Sequence, residues 1–392
     1  MAEKFVYADN AATTRTSESV LNAMLPYFKD EYGNPSSLHA KGRAANAALG
    51  EARAKIARLL GAKESEIYFT ASGSEADNWA IKGAALANRD RGRHIVSTKI
   101  EHHAVLNSLK ALEREGFEVT LLDVDSDGRI SPEAAAEAVR ADTILVAVMT
   151  ANNEVGTIEP IAEISAAVKA KNPKTLVFTD AVQAVGTLEL NVTQLGVDML
   201  SLSGHKLHAP KGIGALYIRN GIRVANLIDG GGQERSRRGG TENLPYIIGL
   251  AQALEDAVAG IDENARVAAM RDRLIDGILG TIPHTRLNGS RENRLPGNVN
   301  ISFEYIEGES LLLWLDMMGI CASTGSACSS AALEASHVLL ALGVPIELAH
   351  GSLRLSLGRD NTDEDVDYIL KVLPDVVGRL REMSPLYDKV GK

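Results

Sequence analysis

Up to about residue 220 the chain alternates between two patterns of apolar positions. Short, continuous apolar runs rich in β-branched residues are typical of strands buried on both faces of a sheet. Ala-rich stretches with helical spacing, such as residues 43–60 and 161–171, lie between many of these runs. The predicted strands are residues 66–70, 94–98, 117–122, 143–149, 175–180, 199–203 and 214–218. This alternation predicts an α/β fold built on a mostly parallel, seven-stranded sheet.

The pattern changes after residue 250. Long helical stretches, at residues 250–278 and 362–383, flank short strands such as residues 298–303 and 352–357. This arrangement indicates a smaller α+β unit, and no stretch rich in Pro, Gly or Ser separates it from the rest. We therefore expect a large domain over residues 16–256 and a small domain formed by residues 1–15 and 257–392.

Composition and charge narrow the class of protein. The 392 residues are 45% hydrophobic, enough for a large core, and the net charge is −10. A protein that binds nucleic acid through its surface charge needs a basic face, so we expect no direct nucleic-acid partner. No apolar run approaches the ~20 residues that span a bilayer, and the first residues lack the pattern of a secretory signal. We expect a cytoplasmic protein with no membrane partner.

The chain has two cysteines, Cys321 and Cys328. In a reducing compartment two thiols do not form a disulfide framework, and without a well-placed pair of histidines they make a poor zinc site, so we expect no metal. Cys321 follows an apolar stretch and has the pattern of a small packing residue. Cys328 lies among small and polar residues, which favours an accessible loop, so it is the better candidate for a nucleophile.

The strongest local signal for chemistry is Lys206, which directly follows the predicted strand 199–203. An isolated lysine there could simply extend into solvent, whereas partial burial lowers the pKa of a lysine and makes its amine able to form an imine. Asp180 ends another predicted strand, at the edge where open α/β sheets bind ligands. A pyridoxal cofactor needs a lysine for its aldehyde and a carboxylate for its pyridine nitrogen. The pair therefore predicts pyridoxal 5'-phosphate as the cofactor.

A competing motif fits the same lysine. Residues 203–206 also match the S-x-x-K of penicillin-recognising enzymes. Neither the S-D-N nor the K-T-G partner of that set occurs in the chain, so this class is excluded.

Three further features fit a site for the cofactor or its substrate, and each also has a simpler structural explanation. Residues 70–75 lie between a strand and a helix, where backbone amides can approach a phosphate, but a serine-rich helix cap that binds nothing has the same pattern. His102 and His103 follow the predicted strand 94–98 and could stack on a ring or transfer protons, or be structural. Arg354 carries a planar guanidinium group whose paired donors suit a substrate carboxylate; the alternative is a surface arginine on an edge strand.

Motifs in a fixed order along nearly the whole chain resemble the cysteine desulfurases of the NifS/IscS type. They resemble the group I form in particular, within the class-V aminotransferase family of fold-type-I pyridoxal-phosphate enzymes. The matching motifs are residues 7–14, 33–37, 152–156 and 203–206, the loop around Cys328, and residues 354–358. The resemblance implies the fold of that class, with the cysteine loop carried by the small domain.

The resemblance also implies a role for each matching residue. Lys206 would hold the cofactor covalently, Asp180 would pair with its ring nitrogen, and His102 would stack on the ring and assist proton transfer. The other residues implied to contact cofactor or substrate are Gln183 at the ring hydroxyl, Gly73, Ser74, Ser203 and His205 at the phosphate, and Asn153 and Arg354 at the carboxylate of the substrate L-cysteine. Thr241 would reach the phosphate of the partner subunit in a homodimer.

The implied reaction converts L-cysteine to L-alanine and leaves the sulfur on Cys328 as a persulfide. The sulfur would then pass to an acceptor protein such as an iron–sulfur scaffold. Ser74 stands where many relatives have threonine, which keeps the hydroxyl, and Cys321 has no family role. The alternatives are a selenocysteine lyase or a small-amino-acid aminotransferase on the same fold, or a sulfur-relay scaffold that has lost catalysis.

Overall fold

The computed structural model describes residues 4–324 and 335–387. The strands are β1 (Val6–Tyr7), β2 (Ile67–Thr70), β3 (His94–Thr98), β4 (Glu118–Leu122), β5 (Thr143–Ala147), β6 (Leu176–Asp180), β7 (Met199–Ser203), β8 (Gly214–Ile218), β9 (Thr285–Leu287), β10 (Asn298–Phe303), β11 (Ile320–Cys321) and β12 (Ser352–Ser356). The helices are α1 (Glu18–Met24), α2 (Pro26–Lys29), α3 (Ala40–Leu60), α4 (Gly73–Ala87), α5 (His103–Arg114), α6 (Pro132–Glu137), α7 (Ile161–Lys171), α8 (Val192–Leu195), α9 (Gln233–Ser236), α10 (Leu244–Ala259), α11 (Asn264–Thr281), α12 (Gly308–Met317), α13 (His337–Ala341), α14 (Ile346–His350) and α15 (Asp363–Glu382).

A seven-stranded sheet with the order β2-β8-β7-β6-β5-β3-β4 forms the centre of the larger unit. The strands from β7 through β4 in this order pair in parallel, and β8 pairs antiparallel with both β7 and β2. A parallel crossover needs a dozen or more residues, and the ten between β7 and β8 are too few, so β8 must run back antiparallel. The predicted α/β fold with a mostly parallel, seven-stranded sheet is confirmed.

Alternation along the strands divides the core between the two faces of this sheet. On β5, for example, Leu145 belongs to the core beneath α4 and α5, and Val146 to the core beneath α3, α7 and α10. The strands are therefore covered on both sides, which explains why they are continuous apolar runs. The edge strand β4 is the exception, since it is half exposed.

The smaller unit has a core of its own. Its three-stranded antiparallel sheet has the order β12-β10-β9, and a short parallel pair, β1 with β11, joins the N-terminal segment to it. The core draws on α11, α12 and α15 together with Val6 and Ala8. The predicted division into residues 16–256 and residues 1–15 with 257–392 stays a prediction.

The helix predicted over residues 250–278 is two helices. Helix α10 ends at Ala259 and is followed by Gly260 and a 3₁₀ turn at Ile261–Glu263, after which the chain continues as α11 at an angle of 59°. In the described part of the chain, no single helix has the length and apolarity to cross a membrane, and this bent pair meets the criteria only when taken together.

Candidate functional site

A cavity of about 520 Å³ opens at the carboxyl ends of the parallel strands. This is the edge at which open α/β sheets bind ligands. Ten of the residues predicted to bind cofactor or substrate line it, namely Gly73, Ser74, His102, Asn153, Asp180, Gln183, Ser203, His205, Lys206 and Arg354. Thr241 is exposed and is not among the lining residues. Cys328 lies outside the described residues.

Lys206 reaches the cavity from a single 3₁₀ turn, Gly204–Lys206, that directly follows β7. Its Nζ donates hydrogen bonds to the carbonyl oxygens of Ala11 and Ala12, at 2.5 and 2.7 Å. The amide of Gln183 donates to the same Ala11 oxygen at 3.1 Å. The N-terminal segment thus fixes the lysine amine at the cavity wall, which the spacing of the motifs could not predict.

Asp180 ends β6, the strand that pairs with β7, so the two strand ends predicted to cooperate are neighbours in the sheet. The carboxyl is buried, and its Oδ1 accepts a hydrogen bond from the amide of Val182 at 2.9 Å. Burial raises the pKa of Asp180, while His102, the Val182 amide and Lys206 act against that rise. A positively charged group bound beside this carboxyl would stabilise its ionised form.

The strand–turn–helix junction at residues 70–75 also lines the cavity, through Ser72, Gly73 and Ser74. Ser72 caps α4 by accepting a hydrogen bond from the amide of Glu75, and Gly73 begins the helix. A Cβ on Gly73 would lie 2.8 Å from the Val182 side chain and 3.2 Å from Ser203, so glycine permits the helix start to approach β7. The N-terminus of this fifteen-residue helix can therefore receive an anion.

His205 and Ser203 face this helix start from the end of β7. His205 Nδ1 lies 3.1 Å from the Thr13 hydroxyl. Burial lowers the pKa of His205 to about 4, assisted by Lys206 and Lys211. The imidazole is therefore neutral at physiological pH, and it would contribute a hydrogen bond rather than a charge to a bound phosphate.

His102 directly precedes α5 and caps it. Its Nδ1 accepts a hydrogen bond from the amide of Ala104 at 3.1 Å, which leaves the proton of a neutral ring on Nε2. One donor atom each of His102, Asp180 and Asp77 lies within 4.8 Å of the other two. His102 is thus next to the carboxyl of Asp180, and its stacking on a cofactor ring stays a prediction.

Arg354 lies in the middle of β12 and is only 2% exposed, so it is not a surface arginine on an edge strand. Its Nη1 donates to the Asn153 carbonyl and its Nη2 to the Asp9 carboxylate, both at 3.0 Å. Its Nε is buried and has no acceptor among the described residues. A buried, unpaired donor of a cation that lines a cavity is suited to an anionic ligand group.

The residues on either side of the gap at 325–334 are tied to this same cavity. Ser323 forms an antiparallel bridge with Arg354 through hydrogen bonds of 2.6 and 3.1 Å. On the far side of the gap, the Ser336 hydroxyl donates to the carboxylate of Glu154, and His337 lines the cavity. Described residues on both sides of positions 325–334 are thus bonded to residues of the cavity wall.

The sequence reasoning missed three buried or half-buried groups at the site. Asp77, on the inner face of α4, is 1% exposed and lines the cavity. Glu101 is fully buried next to His102. The ring of His337 packs against that of His103, with centroids 4.7 Å apart and planes tilted by 45°, and its Nε2 lies 3.0 Å from the Glu101 carbonyl. Only Asp77 carried a signal, since it lies one helical turn after Gly73.

Comparisons with known proteins show which family the chain is similar to. The family model of the class-V aminotransferases matches residues 6–369. The chain is 56% identical over 387 residues to a protein named cysteine desulfurase IscS from Methanosarcina thermophila, covering 98% of this chain and 95% of that protein. A solved structure of a NifS-like protein, 41% identical, has a TM-score of 0.91 and covers 96% of this chain and 100% of its own. A structure described as SspA in complex with cysteine, 36% identical, has a TM-score of 0.79 and covers 90% of this chain and 98% of its own.

Proposed function

We propose a role for each residue of the site, starting from the family: this chain belongs to the class-V aminotransferases and is a pyridoxal-phosphate-dependent cysteine desulfurase. Lys206 and Asp180 hold the cofactor, Arg354 and Asn153 hold the substrate, and Cys328 receives the sulfur. The observation that carries the substrate assignment is the buried Nε of Arg354, which has no acceptor among the described residues.

The residues of the cavity fit pyridoxal phosphate. The start of α4, with Gly73 and Ser74, supplies amides and a hydroxyl for the phosphate, and Asp180 supplies a carboxylate for the ring nitrogen. Lys206 supplies the amine for the aldehyde. When bound, the cofactor withdraws electrons from the substrate and so weakens the bonds around its α- and β-carbons.

Substrate cysteine is oriented by its carboxylate. Arg354 offers Nε while its two Nη atoms remain bound to Asn153 and Asp9, so the guanidinium keeps a fixed plane when substrate binds. The side-chain amide of Asn153 adds a neutral donor from the cavity wall. This fixed carboxylate contact places the α-carbon toward Lys206, whose amine takes the α-proton.

Sulfur transfer is a displacement at the substrate sulfur. The thiolate of Cys328 attacks that sulfur, an S–S bond forms, the bond from sulfur to the β-carbon breaks, and the β-carbon gains a proton. L-Cysteine and one enzyme thiol thus become L-alanine and one enzyme persulfide, with no external oxidant. This role is supported by Ser323 and Ser336, described residues that precede and follow Cys328 in the chain, because they contact Arg354 and Glu154 of the cavity wall.

We further propose a cytoplasmic homodimer that passes its sulfur to an acceptor such as an iron–sulfur scaffold. The sparse cysteine content supports a reducing compartment. Exposed apolar side chains on α1, α2 and their junction, Leu21, Leu25 and Phe28, support a subunit contact, and exposed Thr241 is available to a partner. Light scattering tests the dimer: it should give twice the chain mass of 41.8 kDa.

The reaction is tested with two matched cysteine variants. We expect the purified protein to be yellow and to release alanine and sulfide from L-cysteine in the presence of a thiol reductant. Cys328→Ser should abolish sulfide release, whereas Cys321→Ser, the matched control, should keep it. Sulfide release that survives Cys328→Ser would remove Cys328 from the mechanism, and transamination without sulfide would point to an aminotransferase.

A further inference from the structure

A second carboxyl, that of Asp77, is buried beside Asp180 and has no part in the function proposed above. Asp77 lies on α4, one turn after the residues assigned to the phosphate, and is 1% exposed. One of its oxygens lies within 4.8 Å of an oxygen of Asp180. Two carboxylates at this distance, both out of water, repel strongly, so the pair favours a state with a single negative charge.

Ser201 is the strand neighbour of one acid and the hydrogen-bond partner of the other. It lies on β7 directly opposite Asp180 on β6, so both side chains point to the same face of the sheet. The Ser201 hydroxyl is fully buried and donates to Asp77 Oδ1 at 2.6 Å. Ser201 is therefore bound to Asp77 rather than to its neighbour Asp180, and the Asp180 carboxylate stays available to the cofactor.

The surrounding charges determine which of the two acids keeps the proton. Asp180 faces His102 and Lys206, both of which favour its ionised form, and the Val182 amide also stabilises that form. The negative charges of Asp180 and, to a smaller extent, Glu101 both disfavour ionisation of Asp77. Burial is the largest cause that raises the pKa of Asp77 well above its usual range, and the hydrogen bond from Ser201 opposes it only in part.

We infer that Asp77 is a positioning residue, the neutral member of a buried carboxyl pair. It holds the proton of the pair and accepts the hydrogen bond of Ser201, and so leaves Asp180 as the one carboxylate that meets the ring nitrogen. This inference rests on the proposed role of Asp180. It also gives α4 two functions: its first residues receive the phosphate, and its second turn sets the ionisation of the group at the other end of the ring.

Protonation of Asp77 can be observed directly. An infrared difference spectrum of the holoenzyme minus the Asp77→Asn variant at pH 8 should contain the C=O band of a protonated carboxyl. A difference spectrum that contains only carboxylate bands would overturn the inference. This measurement does not depend on desulfurase activity, so it stands even if the proposed reaction is wrong.

Cofactor affinity then separates a hydrogen-bonding role from simple packing. Asp77→Asn keeps the acceptor for Ser201 and the neutral charge, so the dissociation constant of pyridoxal phosphate should change less than about threefold. Asp77→Leu has a similar shape but no acceptor, so the Ser201 hydroxyl loses its partner and turns to Asp180, and affinity should weaken about tenfold. Asp180→Asn is the control for the proposed function and should weaken affinity far more than either variant.

Each alternative outcome has one meaning. If Asp77→Asn weakens affinity as much as Asp180→Asn, Asp77 is ionised and the inference is wrong. If the Asn and Leu variants both bind as the natural chain does, Asp77 only fills space and the inference is again wrong. If Asp180→Asn alone has no effect, the proposed cofactor site fails while the infrared result still stands. Should the Leu variant not fold, the infrared comparison and the Asn variant still decide.

Discussion

Replacement of Arg354 by lysine tests the substrate site without changing its charge. The side chain of Arg354 is 3% exposed, and two of its nitrogens are bound to Asp9 and Asn153. Lysine keeps one positive charge but presents a single ammonium in place of the planar fork. It cannot hold Asp9 and Asn153 and still direct a third donor at the substrate.

The size of the effect follows from the bonds that are lost. A hydrogen bond to a charged group contributes about 1.5–3 kcal/mol, and Arg354→Lys removes the one to the substrate and weakens the two that orient the side chain. We expect a loss of about 3 kcal/mol, which corresponds to roughly 100-fold in kcat/KM. Because the carboxylate is held equally before and during the reaction, most of this loss should be a rise in KM.

The assay measures alanine formed over a range of cysteine concentrations. Arg286→Lys is the matched control, since Arg286 lies on β9 of the same small sheet and does not line the cavity. Cofactor affinity should be unchanged in both variants, because Arg354 is assigned to the substrate alone. If Arg354→Lys leaves KM within about threefold of the natural value, the carboxylate is bound elsewhere and the site assignment is refuted.

Three further predictions concern stability. Burial raises the pKa of Glu101 to about 8, so between its unfolded pKa near 4.5 and pH 8 unfolding releases a proton. Rising pH should therefore destabilise the protein over this range, and Glu101→Gln should reduce that slope in urea midpoints measured from pH 5 to 8; an unchanged slope would contradict the shift. The pKa of His205 is lowered to about 4 from 6.5, so unfolding of the cofactor-free protein takes up a proton between these values, and stability should fall as pH drops below 6.5. His205→Gln should weaken that acid dependence, and an identical acid profile would argue against a neutral buried imidazole. Arg53→Ala leaves the buried Glu234 carboxylate, which is bound to Arg53 at 2.7 and 2.9 Å, without its cationic partner. It should lower the free energy of unfolding by about 3 kcal/mol. Lys55→Ala, which breaks a half-exposed pair with Glu255, is the control and should change it far less; equal losses would mean that burial of the pair does not matter.

The sequence was sufficient to predict the main sheet because its strands are covered on both faces and are therefore continuous apolar runs. It was also sufficient to predict that Asp180 and Lys206 lie close together, since Asp180 ends β6, Lys206 lies just after β7, and these two strands pair in the sheet. The direction of β8 was not predicted, because it depends on a connection too short for a crossover. The break between α10 and α11 was missed because Gly260 lies within one continuous helical pattern.

Contacts between residues far apart in the chain could not be predicted at all. Arg354 is bound to Asp9, 345 positions away, and the lysine amine is held by carbonyls of the N-terminal segment. The spacing of Asp77 from Gly73 was its only signal in the sequence, and its burial follows from tertiary packing.

The most direct test of the proposed chemistry is the mass of the peptides that contain the two cysteines after the holoenzyme has been incubated with L-cysteine. We expect the Cys328 peptide to gain the mass of one sulfur atom, with one alanine formed per persulfide, and the gain to vanish on treatment with a thiol reductant. The Cys321 peptide should be unchanged. A Cys328 peptide of unaltered mass while alanine accumulates, or a sulfur gained on Cys321 instead, would contradict the proposal that Cys328 receives the sulfur.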